Sequence, residues 1–95
     1  MYVAVRRYKV KAGSMDELAR RAQEGFVPLI RQAPGLVAYY GAASGSDSLF
    51  TVSIFQDQAE ADESTRRATN WISQNLAEFV QGSPEIMAGE VKWKS

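Results

Sequence analysis

The feature that most constrains the fold is a pair of β-rich runs joined by a short polar turn. The first run is residues 36–40, the second is residues 49–55, and the turn lies within residues 44–47. Aromatic and β-branched residues favour strands, so two such runs around small polar residues indicate a β-hairpin. A helix-like apolar pattern precedes the hairpin and another follows it, and the fold must place both around it.

Two further strands are predicted at the ends of the chain. Residues 2–11 contain aromatic, β-branched and long side chains with no breaker until Gly13, and residues 85–94 follow a Gly-Ser-Pro break. Strands 1, 3 and 4 carry apolar residues on both faces, whereas a strand with one solvated face would alternate apolar and polar residues. Both sides of the sheet are therefore expected to be covered.

The first helix is predicted to begin at Ser14, with Glu17 at the spacing of a capping box. Pro28 lies inside its apolar pattern, where a proline removes a backbone donor and crowds the carbonyl of Glu24. We therefore expect a kink near Gly25.

The second helix is predicted to begin after Asp57, a residue type that caps helix N-termini, with Glu60 at the reciprocal capping position. It extends to about residue 80. Small residues face inward in its first half, and bulky residues follow only in its second half. Small residues facing a sheet leave either close packing or a cavity, and both alternatives remain open.

The element order is β-α-β-β-α-β, which predicts one ferredoxin-like α+β domain over residues 1–95. In this fold two helices cover one face of a four-stranded antiparallel sheet. The other face would then be a bare apolar patch, which soluble monomers avoid. We expect a homodimer in which two sheets pack face to face as an α/β barrel.

Composition excludes several classes of function. The 11 Lys and Arg residues balance the 11 Asp and Glu residues, which weighs against nucleic-acid and membrane partners. The third strand also lacks the basic and glycine positions of RNA-recognition motifs, which share this element order. The chain has no Cys and no His, so we expect no disulfide, no metal site and no histidine base. With no signal sequence or apolar span, we expect a cytoplasmic protein.

Three short segments resemble the antibiotic biosynthesis monooxygenase-like family of the dimeric α/β-barrel superfamily. They are KAGSMDEL (residues 11–18), APGLVAY (residues 33–39) and SIFQD (residues 53–57). The resemblance extends over nearly the whole chain. It implies the ferredoxin-like dimer that the element order also predicts.

The resemblance implies two kinds of chemistry, because family members include cofactor-free oxygenases of polycyclic aromatic substrates and haem-degrading enzymes. The asparagine, tryptophan and histidine of the haem degraders correspond here to Arg6 (or Arg7), Ser64 and Gln74. None matches, so haem degradation is disfavoured and no cofactor is expected. For the oxygenases, the resemblance implies a looser pattern of Asn, Trp, Tyr and Arg that line a pocket. The candidates for it in this chain are Asn70, Trp71, Tyr40 and Arg6.

The candidate ligand pocket lies between the sheet and the second helix, and its members are Arg6, Tyr40, Ser64, Ala68 and Trp71. Side chains alternate along a strand, so one of Arg6 and Arg7 faces the helices, as does one of Tyr39 and Tyr40. The sequence leaves open which one. An inward arginine would hold an anionic or phenolate-like oxygen, unless it pairs with Glu90 or another carboxylate.

Two functions fit these observations. The first is a small-molecule enzyme that oxygenates an aromatic or quinol substrate without a cofactor, with its catalytic residues unassigned. The second is a non-catalytic dimeric module that binds a small ligand or has a structural role in stabilising a partner. It is favoured by the absence of His, Cys and a recognisable acid–base pair. A cavity beneath residues 64–68 would favour the enzyme.

Overall fold

The computed structural model describes residues 1–95 as one four-stranded antiparallel sheet with its helices on one face. The elements are β1 (Tyr2–Val10), α1 (Met15–Arg21), a π-helical turn (Ala22–Phe26), α2 (Val27–Arg31), β2 (Leu36–Ser44), β3 (Ser48–Phe55), α3 (Gln58–Asn75) and β4 (Val80–Glu90). The strand order is β2-β3-β1-β4, with β1 in the centre between β3 and β4. The predicted ferredoxin-like α+β fold is confirmed.

The core is small and lies only on the helix side of the sheet. One cluster joins Val10 of β1 to Leu18 of α1 and Leu76 beyond α3. A second cluster joins Phe26, Ile30 and Ala68, which ties the first helical segment to α3. Only 14 of the 95 residues are fully buried, so much of the sheet's other face remains exposed in a single chain.

The first helical segment differs from prediction at its start and in its middle. Ser14 makes no side-chain cap, because the Glu17 carboxylate instead binds the Arg20 and Arg21 side chains. The expected kink is a π turn, in which the Val27 amide donates to the Ala22 carbonyl.

Pro28 is the physical reason for this turn. It has no amide to donate to the carbonyl four residues earlier, and its ring would crowd that group. In a π turn an amide donates to the carbonyl five residues earlier, which widens the helix just before the proline. Helix α2 then starts with Pro28 in its first turn.

The second helix, α3, begins as predicted and ends earlier. The Glu60 amide donates to Asp57 Oδ1 at 2.9 Å, which confirms the N-cap. The helix ends at Asn75 rather than near residue 80, and the chain reaches β4 through Leu76, which is buried. No helix of the chain is long and apolar enough to cross a bilayer.

The last strand also starts and ends earlier than predicted. Pairing with β1 continues through the Gly-Ser-Pro segment, which the sequence suggested would break the element. The Gly-Ser-Pro segment forms a bulge, which shifts the register between β1 and β4, and Gly82 in this bulge has φ +72°. Trp93 lies beyond β4 and is 89% exposed, so it is not part of this chain's core.

Candidate functional site

The structure decides which member of each neighbouring pair faces the helices. Arg6 is 4% exposed on the helix side, whereas Arg7 is exposed on the other face and lies 3.8 Å from Glu85. Tyr39 contacts Phe26 on the helix side, and Tyr40 is 63% exposed on the opposite face. The prediction of Tyr40 as a pocket residue is therefore wrong.

A bulge in β2 explains why the sequence did not reveal which of Tyr39 and Tyr40 faces the helices. Leu36 pairs with Phe55, but Ala38 pairs with Ile54, so one residue of β2 is left over. The extra residue shifts the alternation of side chains between the two faces.

Four polar side chains converge on the helix side, and we call them the Arg6 cluster: Arg6, Tyr8, Tyr39 and Thr51. Arg6 and Thr51 are register partners on β1 and β3, and Tyr8 follows Arg6 on the same face. Arg6, Tyr8 and Thr51 are each at most 7% exposed. The sequence analysis missed Tyr8 and Thr51, although the two-residue period would have found Tyr8 once Arg6 was placed inward.

Arg6 is a buried cation with no carboxylate partner. None of the eight ion pairs of the chain includes it, and Glu90, the partner considered from the sequence, lies 3.7 Å from Lys92 instead. Arg6 Nε and Thr51 Oγ1 are both buried without a hydrogen-bond partner. Buried charges are normally paired, so two orphaned polar atoms side by side indicate a place for a ligand group.

Both tyrosines of the Arg6 cluster are held in their protonated form. Burial, together with the neighbouring Tyr8, raises the pKa of Tyr39 to about 12, although the Arg6 charge acts in the opposite direction. Burial also raises the pKa of Tyr8, which the Arg6 charge and hydrogen bonding to Arg6 lower in part. At neutral pH the site therefore offers one permanent cation and two phenol donors.

A row of aromatic rings positions Tyr39. The Phe26 ring lies 5.5 Å from the Tyr39 ring, edge to face, and 5.5 Å from the Trp71 indole. Trp71 fits because Gly25 has no side chain, since a Cβ there would lie 2.6 Å from the indole. The row runs from α3 through the π turn to β2.

An apolar cleft lies beside the Arg6 cluster, and we call it the α2–β2 cleft. It has a volume of about 400 Å³, and seven of its ten lining residues are hydrophobic. Tyr39 and Gly41 belong to its wall, and Gly41 is the register partner of Thr51. A Cβ on Gly41 would meet nothing within 4 Å, so the space above it is open. A cleft of this size suits a small-molecule ligand.

The other predicted pocket residues lie elsewhere in the helix layer. Ala68 packs with Phe26 in the core, and Trp71 packs against both core clusters. Ser64 is 7% exposed and borders a separate cleft of about 200 Å³ near Pro34 and Glu60. Of the five predicted residues, only Arg6 belongs to the Arg6 cluster, and the larger cleft opens on the β2 side instead.

The chain supplies poor ligands for a haem iron. It has neither His nor Cys, which leaves Tyr and Met as candidate axial side chains. The two buried phenols beside Arg6 have raised pKa values, and an iron ligand must be deprotonated. The residues present therefore do not fit a haem.

Solved structures with the same fold cover almost the whole chain. A Nitrosomonas europaea protein of unknown function, NE2512, has a TM-score of 0.86 at 19% identity, over 99% of this chain and 91% of that one. A monooxygenase from Streptomyces coelicolor, ActVA-Orf6 in complex with nanaomycin D, has a TM-score of 0.79 at 16% identity, over 99% and 89%. A mutant of SnoaB, a cofactor-independent oxygenase from Streptomyces nogalater, has a TM-score of 0.74 at 11% identity, over 98% and 94%.

Sequence comparison identifies the family. No curated protein matches the chain. A family model described as antibiotic biosynthesis monooxygenase matches residues 1–70, which extend from β1 into the second half of α3 and include the whole Arg6 cluster. The chain belongs to the antibiotic biosynthesis monooxygenase family.

Proposed function

We propose that this protein oxygenates an aromatic or quinol-type substrate without a cofactor. The observation that carries the proposal is Arg6, a buried cation with an unpartnered Nε and no carboxylate near it. A phenolate or enolate oxygen would satisfy both its charge and its free N–H. The α2–β2 cleft supplies apolar walls for the ring system. The family, the nanaomycin D bound in one similar structure and the cofactor-independent oxygenase activity named for another support the same reading.

The proposed chemistry needs no reductant. An anthrone-type substrate, R₂CH₂, reacts with O₂ to give R₂C=O and H₂O. The methylene carbon loses four electrons and two protons, and O₂ gains them, with one oxygen atom in the carbonyl and the other in water. Arg6 would stabilise the deprotonated substrate, whose carbanion character lets it donate an electron to O₂.

Tyr39 and Tyr8 would orient the bound anion by donating hydrogen bonds, since their raised pKa values keep them protonated. The cleft walls would exclude water from the reacting carbon. Deprotonation is the step for which the Arg6 cluster offers no ready base. We assign it to the substrate as it enters the open cleft, where bulk water takes the proton and pairing of the resulting anion with Arg6 lowers the substrate's pKa.

The test is oxygen consumption with a panel of anthrone and quinol compounds. Wild-type protein should consume O₂ and form the quinone, and Arg6→Met should lower kcat/KM by about 100-fold or more, as loss of a charge contact to a reacting oxygen does. Arg7→Gln is the matched control, because Arg7 is the next residue and faces away from the helices. It should leave turnover unchanged.

The free energy of unfolding of Arg6→Met should not fall, because a methionine removes an uncompensated buried charge. This measurement separates lost chemistry from lost fold. Turnover by Arg6→Met at the wild-type rate would remove Arg6 from the mechanism and contradict the proposal.

A second candidate function is ligand binding without conversion. It is favoured by one observation: the Arg6 cluster contains a cation and two protonated phenols but no carboxylate or imidazole that could accept a proton. The same assay distinguishes the two functions. Tight binding of an anthrone with no O₂ uptake above the background rate would support the binding module.

We also propose that the protein is a homodimer joined through the exposed sheet face. That face carries the register pairs Val5–Val52 and Val3–Ile54, with Tyr40 and Met87 exposed at 63% and 79%. The residues of the Arg6 cluster all belong to one chain and lie on the other face. Each protomer would therefore hold a complete site.

A further inference from the structure

A second cleft reaches the Arg6 cluster from the opposite side, and we call it the α3–β4 cleft. The bulge in β4 creates it, because Arg7 pairs with Glu85 and Lys9 with Gln81, so Gly82, Ser83 and Pro84 all lie opposite Tyr8. The cleft has a volume of about 290 Å³, and Tyr8 forms part of its wall. Tyr8 thus belongs both to the wall of this cleft and to the Arg6 cluster.

The wall formed by α3 offers hydrogen-bond acceptors. The Thr69 hydroxyl donates to the Thr65 carbonyl at 3.0 Å, and the Ser73 hydroxyl donates to the Asn70 carbonyl at 2.9 Å. A hydroxyl has one hydrogen to donate and two lone pairs to accept with. Both hydrogens are used within the helix, so the lone pairs of Thr69 and Ser73 remain for a group in the cleft.

The chemistry of the lining defines what would bind there. No charged side chain lines the cleft, and Ile72, Val80 and Pro84 add apolar surface. An ionic group would be unpaired, whereas an apolar ring with a hydroxyl donor would be matched on both counts. Thr69 and Ser73 are one helical turn apart on the same face, about 5–6 Å, so one ring system can reach both.

We infer that the α3–β4 cleft is a second subsite, which binds an uncharged, hydroxyl-bearing part of the substrate whose ionised oxygen lies on Arg6. The inference rests on the proposed function for the role of Arg6. It adds that the substrate spans Tyr8 and that Thr69 and Ser73 recognise its hydroxyl groups as donors. Substrate specificity would therefore include a hydroxyl group remote from the reacting carbon.

The test is equilibrium binding in the absence of O₂, which measures recognition without turnover. The probes are anthrones that share the reacting ring and carry a hydroxyl, a methoxy group or a hydrogen at one distal position. Wild-type protein should bind the hydroxyl probe about 5-fold or more tightly than either of the others, the difference expected for one neutral hydrogen bond. The double variant Thr69→Val with Ser73→Ala should bind all three probes equally.

Asp62→Ala is the control, because Asp62 is exposed on the same helix and its side chain does not line the cleft. It should keep the preference for the hydroxyl probe. Equal binding of the three probes by wild-type protein, or an unchanged preference in the double variant, would overturn the inference. Neither outcome depends on O₂ uptake, so failure of the subsite and failure of the oxygenase proposal are separate results.

Discussion

Arg6 lowers the stability of the empty protein in return for the anion recognition that we propose. A buried guanidinium without a carboxylate costs free energy in the empty protein, and that cost is recovered only when an anion binds. The arrangement persists because β1 lies in the centre of the sheet, where its register partners Thr51 and Ile86 fix the Arg6 backbone from both sides. A side chain that lowers stability at a fixed position is typical of functional sites.

The raised pKa of Tyr39 predicts a loss of stability at high pH. Its pKa is about 12 in the folded chain and 10.0 for an ordinary tyrosine, so the folded state holds its proton more tightly. The stabilising contribution is complete below pH 10 and is lost as pH rises through 12. The free energy of unfolding should fall by roughly 2 kcal/mol over this range because of Tyr39 alone.

Urea unfolding at a series of pH values, with tyrosinate absorbance recorded in parallel, measures this effect. Tyr39→Phe should make the pH profile flatter between pH 10 and 12. Tyr40→Phe is the matched control, since Tyr40 is 63% exposed, and it should leave the slope as it is in the wild type. Identical slopes for all three proteins would show that the Tyr39 phenol ionises as freely as an exposed one.

At the residue scale, the sequence located Arg6 but not the group around it. Alternation along β1 was regular, so placing Arg6 inward also places Tyr8 inward. The tyrosine in β2 was assigned wrongly, because the bulge near Leu36 changes the parity between the hairpin's two strands. Ala68 packs against Phe26, and Ser64 borders only the smaller cleft near Pro34, an outcome that depends on helix-to-sheet spacing that periodicity does not encode.

At the scale of elements, the π turn links the helix layer to the site. Proline at position 28 was visible in the sequence and correctly indicated a disruption near Gly25. The form of the disruption was not predictable, because a π turn and a kink both relieve the same missing hydrogen bond. In the folded chain Trp71 packs against Gly25 and Phe26 of the π turn, a contact that the sequence pattern does not reveal.

Gly25→Ala tests the importance of that contact. Alanine favours a helix over glycine by up to about 1 kcal/mol, which alone would stabilise the protein. Its Cβ would lie 2.6 Å from the Trp71 indole, so the indole must move away from Phe26. We expect the overpacking to exceed the gain in helix propensity and to lower the free energy of unfolding by about 1–2 kcal/mol.

Denaturant unfolding monitored by tryptophan fluorescence measures the change. Gly41→Ala is the control, because its Cβ would meet nothing within 4 Å, and it should be neutral or slightly stabilising. If Gly25→Ala proved as stable as the wild type, the indole would have room to move and the aromatic row would not fix Tyr39.

At the scale of the whole molecule, the accessible surface is larger than that of a typical compact monomer. The chain exposes 6178 Å² at a mass of 10.5 kDa, and a folded monomer of that mass typically exposes about 5,400 Å². The excess is roughly 800 Å², which matches what one partner buries in a standard interface. From apolar residues on both strand faces, the sequence predicted that the second face of the sheet is covered by a partner. The exposure of Tyr40 and Met87 in the single chain agrees with that prediction.

The proposed homodimer predicts that thermal stability depends on protein concentration. If folding and association are coupled, tenfold dilution removes about 1.4 kcal/mol of stability, which should lower Tm by roughly 3–5 °C for a dimer of this size. Val52→Asp should abolish the dependence and give a monomer in analytical ultracentrifugation. Val52 lies between Val5 and Tyr40 in the sheet, so the charge would be buried at the centre of the interface.

Gln58→Asp introduces the same charge at the exposed first residue of α3 and should remain dimeric. Because the Arg6 cluster lies on the other face of the sheet, any folded Val52→Asp monomer should still bind an anthrone probe. A wild-type protein that sediments as a monomer at micromolar concentration, with a Tm that dilution does not change, would contradict the dimer. The exposed apolar face would then need a different partner, while the site proposed around Arg6 would be unaffected.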